Sequence, residues 1–326
     1  MKTFSLILAT LCLAASQALA GTAGFTMLRV QDGPNPPLTV GVWYPAAGVP
    51  RPTEVGAFVQ SVVPDAAPVG QRLPLVVMSH GNGGDFAGHS DLALALAQAG
   101  FVVAAPTHTG DNYRDQSRAL DVAGRARQIR SVIDYMLAVW GKTVLDPARV
   151  GAFGFSSGGL SVLIAAGGAP DLSRLGPHCA AHPTFFDCRL MAQHKPADGL
   201  HGAADSAFPH DPRIRAIVVA APALGFAFDA ARLAHVTRPV QLWEAEDDVV
   251  LPPPFYAEMV RHALPRPPEF HAVPHAGHFD FLAPCSAILL HAAPAICVSE
   301  SGFDRAKFHE AMNAVVIAFF NRAIRA

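Results

Sequence analysis

The sequence predicts an α/β fold, a mostly parallel, doubly wound sheet with helices on both faces, and two patterns carry that prediction. Segments rich in β-branched and apolar residues alternate with segments of helical spacing along most of the chain, the arrangement in which crossover helices join parallel strands. The second pattern is local. The apolar run Arg149-Val150-Gly151-Ala152-Phe153 leads directly into Gly154-Phe155-Ser156-Ser157-Gly158-Gly159. A strand that ends in Gly-x-Ser-x-Gly and turns at once into a helix holds its serine on a strained elbow, where side chains in place of the glycines would collide.

Residues 1–20 read as a secretory signal: Lys2, an apolar stretch from Phe4 to Ala15, then Ala18-Leu19-Ala20 before Gly21 as a cleavage site. The apolar stretch is too short to span a bilayer, which argues against stable membrane insertion. Residues 21–326 are expected to form one domain. Phe25 to Gln31 and Leu38 to Tyr44 read as strands joined by a hairpin-like turn at the sheet edge. There follow a strand Leu73 to Ser79, a helix near Asp91 to Ala99, a strand Phe101 to Ala105 and a long helix that includes Gln128 to Val139. After the elbow, periodicity is lost from about 167 to 212, a stretch rich in Gly, Pro, His and Asp that reads as an irregular cap or lid beside the active site, with a disordered segment as the alternative. Order resumes with strands Ile214 to Ala220 and Val240 to Glu244, a helix Pro254 to Leu264, a strand Glu269 to Val273 and a closing helix near Phe303 to Ala323.

The formal charge of −2 leaves no basic field for nucleic acid and no polybasic membrane patch, so small neutral or apolar partners are expected. Cys179, Cys188, Cys285 and Cys297 remain once a signal is removed, an even set in a chain sent to an oxidising compartment. Short separation favours Cys179 with Cys188 and Cys285 with Cys297. With no C-x-x-C pair and no H-E-x-x-H, no metal is expected, and the 15 histidines read mainly as loop residues.

The elbow points to acyl transfer. A serine hydroxyl needs a neighbouring base, and the base needs an acid to fix its tautomer. Val240-Gln241-Leu242-Trp243-Glu244 runs into Ala245-Glu246-Asp247-Asp248, and the strand ending at Val273 runs into Pro274-His275-Ala276-Gly277-His278. Both lie beyond the carboxyl ends of strands, where open α/β sheets bind ligands. Ser156 is the expected nucleophile and His278 the base, with His275 in reserve. Ser79-His80-Gly81-Asn82-Gly83-Gly84 has the glycines that let backbone N–H groups face an oxyanion, so Asn82 and Ser157 are the expected donors. The same loop lacks the third glycine and the lysine of phosphate-binding loops. His80 and His108 are candidates for the substrate pocket.

On these residues the chain resembles the α/β-hydrolase superfamily, and most of all the branch of predicted dienelactone hydrolases related to platelet-activating-factor acetylhydrolase-like proteins. Val40-Gly41-Val42-Trp43-Tyr44-Pro45, Ser79-His80-Gly81, Gly154 to Gly159, Asp247-Asp248 and Gly277-His278-Phe279 carry the likeness. The resemblance implies an α/β-hydrolase fold and a Ser-Asp-His order, with the acid as Asp248, four residues before Pro252 in an Asp-x-x-x-Pro turn. Two departures stand out: dienelactone hydrolases proper use cysteine where this chain has Ser156, and the stretch after the elbow's neighbouring strand, Ala220-Ala221-Pro222-Ala223, has no carboxylate of the kind vertebrate plasma acetylhydrolases use there. The expectation is an exported serine hydrolase of small-molecule carboxylic esters, working through an acyl-enzyme without a cofactor. Lactonase, amidase, perhydrolase or haloperoxidase chemistry on the same triad, or a catalytically silent binding protein, are the alternatives. The sequence sets no oligomeric state.

Overall fold

A computed structural model describes residues 21–194 and 208–325; the expected signal segment 1–20 lies outside the described residues. The chain opens with four strands, β1 (Ala23–Asp32), β2 (Asn35–Pro45), β3 (Arg51–Val55) and β4 (Phe58–Pro64). It continues with β5 (Leu73–Ser79), α1 (Ser90–Gln98), β6 (Val102–Thr107), α2 (Val122–Tyr135), β7 (Leu145–Phe155) and α3 (Ser157–Ala165). Then come α4 (Leu175–Ala181), α5 (Phe186–His194), β8 (Ile214–Ala220), β9 (Val240–Ala245), α6 (Ala257–Ala263), β10 (Glu269–Val273), α7 (Ala287–Ala292) and α8 (Arg305–Ile324).

The strands form one 10-stranded sheet in the order β10-β9-β8-β7-β5-β6-β2-β1-β4-β3. The six strands from β10 to β6 are parallel, while β2 pairs antiparallel with both β6 and β1. All seven residues of β5 are buried, as expected for a central strand covered on both faces. Its alternation divides the core: Leu75 and Val77 pack with Ile129 of α2 and Leu163 of α3, whereas Val76 and Met78 pack with Leu96 of α1 and Phe320 of α8.

Two expectations about the fold need correction. The β1–β2 hairpin is not the sheet edge, because β4 and β3 extend the sheet beyond it. That outer hairpin turns through Gly56-Ala57, between paired Val55 and Phe58, with Gly56 at φ +60°; a glycine leading a two-residue loop is the signal that would have revealed it. The stretch 167–212 is also not wholly irregular, since it contains α4 and α5. Both helices are short, and the Cys179–Cys188 bond ties one to the other. A disulfide thus supplies order that such short helices do not supply alone. Cys285 is bonded to Cys297.

Candidate active site

The elbow is a steric necessity of the way β7 enters α3. A Cβ on Gly154 would stand 2.1 Å from the Gly158 carbonyl oxygen, and one on Gly158 would stand 1.9 Å from the Ser79 carbonyl oxygen. Between these glycines Ser156 adopts φ 55° and ψ −119°, a strained conformation for a residue with a side chain. The turn lifts the hydroxyl clear of the sheet while the chain stays anchored, Ser156 N–H donating to Ala220 O.

Ser156, His278 and Asp248 come together from the carboxyl ends of β7, β10 and β9. Ser156 Oγ lies 3.1 Å from His278 Nε2, and His278 Nδ1 lies 2.7 Å from Asp248 Oδ2. All three are buried, at 5%, 4% and 4% exposure, so water competes little for these bonds. Asp248 Oδ1 accepts from the backbone N–H groups of Val250 (2.8 Å) and Leu251 (2.7 Å), which turns the other carboxylate oxygen to the imidazole. Its neighbour Asp247 is exposed, and its carboxylate lies 3.6 Å from His275 Nδ1. Glu246 is exposed as well. Glu244 is buried on β9, where burial, followed by the charge of Glu258, pushes its carboxyl up to about 7.

The His278 loop is braced from below. Gly277 N–H donates to Asp280 Oδ2 (2.8 Å), and Arg305 Nε donates to Asp280 Oδ1 (3.0 Å). Arg305 also donates to the carbonyls of Ile296 (2.9 Å) and Val298 (3.2 Å), on either side of the disulfide-bonded Cys297. The Phe155 ring packs against His278 with centroids 4.8 Å apart.

Ser157 begins α3, so its N–H is among those a helix leaves without an internal acceptor. The loop that carries Asn82 abuts the elbow: a Cβ on Gly81 would meet Ser156 Cβ at 3.4 Å and the Phe155 ring at 3.1 Å. Asp111 fixes this loop by accepting from Asn82 Nδ2 (2.7 Å) and Gly83 N–H (2.9 Å).

His80 and His108 are not pocket residues; both are buried behind the loop and are absent from the wall of the cavity at Ser156. His108 N–H donates to His80 Nε2, which leaves the proton on His80 Nδ1 to donate to Gly81 O. The Gln128 amide donates to Asp32 Oδ2, so its Oε1 accepts from His108 Nδ1, and Ser79 Oγ donates to His108 Nε2. Burial first, then the charge of Arg125, holds both imidazoles well below their ordinary range, hence neutral.

Arg125 is the residue that sequence reasoning missed. From α2 it donates to Asp111 Oδ2 (2.5 Å), Ser161 Oγ (3.1 Å), Ser79 Oγ (3.2 Å) and His80 O. Ser161 Oγ in turn donates to Ser157 O (2.7 Å). One guanidinium therefore ties the Asn82 loop to the first turn of α3. Its signal was position: Arg125 and Gln128 share the helix face of Ile129 and Val132, which is otherwise apolar.

A cavity of about 50 Å³ opens beside Ser156, with Leu160, Leu224 and Leu251 on the body side and Phe186, Leu190 and Met191 of α5 across it. Asp187, also in the wall, accepts from Tyr256 Oη (3.0 Å) and from Cys188 N–H (2.9 Å), and burial raises its carboxyl. These bonds and the Cys179–Cys188 disulfide hold α5 over the serine. His178, Asp187 and Cys188 cluster within 4.8 Å, but the Cys188 sulfur is committed to the disulfide and offers no thiolate to a metal.

Sheet order and elbow together define the α/β-hydrolase fold. The ferulic acid esterase from Streptomyces cinnamoneus, a solved structure, aligns with 95% of this chain and 92% of its own at 20% identity and a TM-score of 0.62. A family model described as platelet-activating factor acetylhydrolase, isoform II, matches residues 59–127. That stretch runs from β4 into α2 and contains the Asn82 loop, Asp111 and Arg125. A search of curated protein sequences finds no match. The chain thus has the α/β-hydrolase fold, and its likenesses are to an esterase and, over residues 59–127, to an acetylhydrolase family.

Proposed function

We propose that this protein is an exported serine hydrolase that cleaves small carboxylic esters through an acyl-enzyme, with Ser156 as nucleophile, His278 as base and Asp248 as acid. The observation that carries the reading is the buried hydrogen-bonded chain from Ser156 Oγ through His278 to Asp248, opening on an apolar cavity. His278 Nε2 takes the serine proton as Oγ attacks the ester carbonyl, and Asp248 stabilises the imidazolium that forms. The N–H groups of Ser157 and Asn82 receive the developing oxyanion, held in register by Arg125. His278 then protonates the leaving alkoxide and activates the water that releases the acid.

Residues 167–212 act as the cap, with α5 as the described part that closes the acyl site. The two disulfides support export, since such bonds persist in oxidising compartments. The narrow cavity favours compact acyl groups. Nitrophenyl esters of increasing chain length test this: acetate and butyrate should turn over faster than octanoate and dodecanoate, and folded Ser156→Ala should hydrolyse none. Near-normal hydrolysis by that variant would end the proposal.

A further inference from the structure

The opposite pole of the sheet carries a second feature that ester hydrolysis does not use. Five arginines stand at or just before the amino ends of five parallel strands: Arg72 before β5, Arg149 within β7, Arg215 within β8, Arg238 before β9 and Arg266 before β10. Those strands are consecutive neighbours in the sheet, so the arginines form a row in the order 266, 238, 215, 149, 72. With adjacent strands about 4.8 Å apart, the row spans about 19 Å. All five line one open cleft of about 460 Å³.

One carboxylate shares that cleft. Asp146 Oδ2 accepts from Arg72 at 2.9 Å and lies 3.6 Å from Arg149. Among the described residues, Arg215, Arg238 and Arg266 have no carboxylate within ion-pair distance. In a chain of net charge −2 this is a local concentration of one sign, not a reflection of composition. Like charges repel at this spacing, so the row is stabilised when an anion lies along it.

We propose that this row is a docking site for an acidic polysaccharide chain and that it anchors the enzyme with its catalytic face turned outward. A linear ligand suits it better than a compact one, because a single phosphate cannot reach guanidinium groups spread over such a span. Among the described residues no aromatic side chain lines the cleft, whereas sites for single-stranded nucleic acid use stacking platforms. None of the exposed large hydrophobic side chains among the described residues borders it either, which argues against the apolar anchor of a membrane surface site. Guanidinium forks match the carboxylates and sulfates of a sugar chain by bidentate bonding. The site is remote from the ester chemistry: Ser156 lies seven positions beyond Arg149 along β7 and its elbow, about 23 Å of extended chain.

Native gel electrophoresis through polygalacturonate, with dextran as the neutral control, tests the proposal on the whole protein. The wild type should be retarded by polygalacturonate and not by dextran, and added salt should abolish the retardation. Arg238→Glu with Arg266→Glu, both at exposed positions, should remove it, while turnover of a nitrophenyl ester stays unchanged. Arg238→Ala with Arg266→Ala should weaken binding and flatten the slope of log affinity against log salt by about 2, one unit per lost contact. The alanine pair serves where glutamate disturbs folding, which a melting curve reports. Absence of retardation at low salt, equal retardation of both variants, or tighter binding to oligothymidylate or to anionic phospholipid vesicles would each overturn the assignment.

Discussion

Asp248→Asn is the substitution whose effect the geometry determines most fully. In the native site Oδ1 accepts from Val250 and Leu251 N–H, and Oδ2 accepts from His278 Nδ1. An asparagine must keep its oxygen on the two backbone donors, because the flipped amide would set its own N–H₂ against them and leave both unpaired, at about 1–3 kcal/mol each. The amide N–H₂ therefore faces His278 Nδ1, which must become an acceptor, and the ring proton moves to Nε2. In that tautomer Nε2 cannot take the proton of Ser156. The turnover number should fall about 10⁴-fold, or about 5 kcal/mol of transition-state stabilisation, while KM changes little. Asp247→Asn, at an exposed position bonded to neither His278 nor Ser156, should keep wild-type kinetics. Steady-state hydrolysis of a nitrophenyl ester by both variants, with melting curves to confirm folding, measures this. A crippled Asp247→Asn beside a nearly normal Asp248→Asn would refute the reasoning.

Arg125→Lys keeps the charge but replaces a planar fork by a point donor, so it cannot hold Asp111, Ser161, Ser79 and His80 O together. Two lost charge-assisted bonds should cost about 3 kcal/mol or more in denaturant unfolding and lower kcat more than they raise KM; unchanged stability and kcat would deny Arg125 its bracing role. Glu244→Gln should raise the melting temperature increasingly as pH rises from 5 to 8. The folded carboxyl titrates at about 7, above its ordinary 4.5, so the folded state binds a proton that the unfolded chain has released. The associated stability is complete below about 4.5, declines as pH rises towards 7, and amounts to about 3 kcal/mol by linkage. A pH-independent difference between variant and wild type would contradict this.

What the sequence discloses follows from how local each constraint is. The elbow is legible because its Gly-x-Ser-x-Gly run is contiguous with the apolar strand before it and Gly154 answers to the Gly158 carbonyl four positions away, and the parallel sheet because β5, β7 and β8 are apolar runs between helical segments. Arg125 is not legible as a brace: its partners lie from 14 to 46 positions distant, and an arginine on a helix reads as a solvated residue until those partners converge. His80 and His108 illustrate the reverse error. Both stand near strand ends, where ligand-facing residues gather, yet their rings turn inward to Gly81 O and Gln128. Side-chain direction there is set by tertiary bonding, which spacing does not encode. The helices at 175–194 escape detection because Gly176 and Pro177 obscure their periodicity and a disulfide ties them together.

The claim on which the mechanism turns is that Ser156 forms the covalent intermediate. Incubation of folded protein with a fluorophosphonate, followed by intact mass and peptide mapping, tests it directly. The account predicts one adduct per chain, on the peptide carrying Ser156, formed with parallel loss of esterase activity and absent from Ser156→Ala. An adduct on another residue, or full esterase activity in unlabelled protein after complete exposure to the probe, would contradict it.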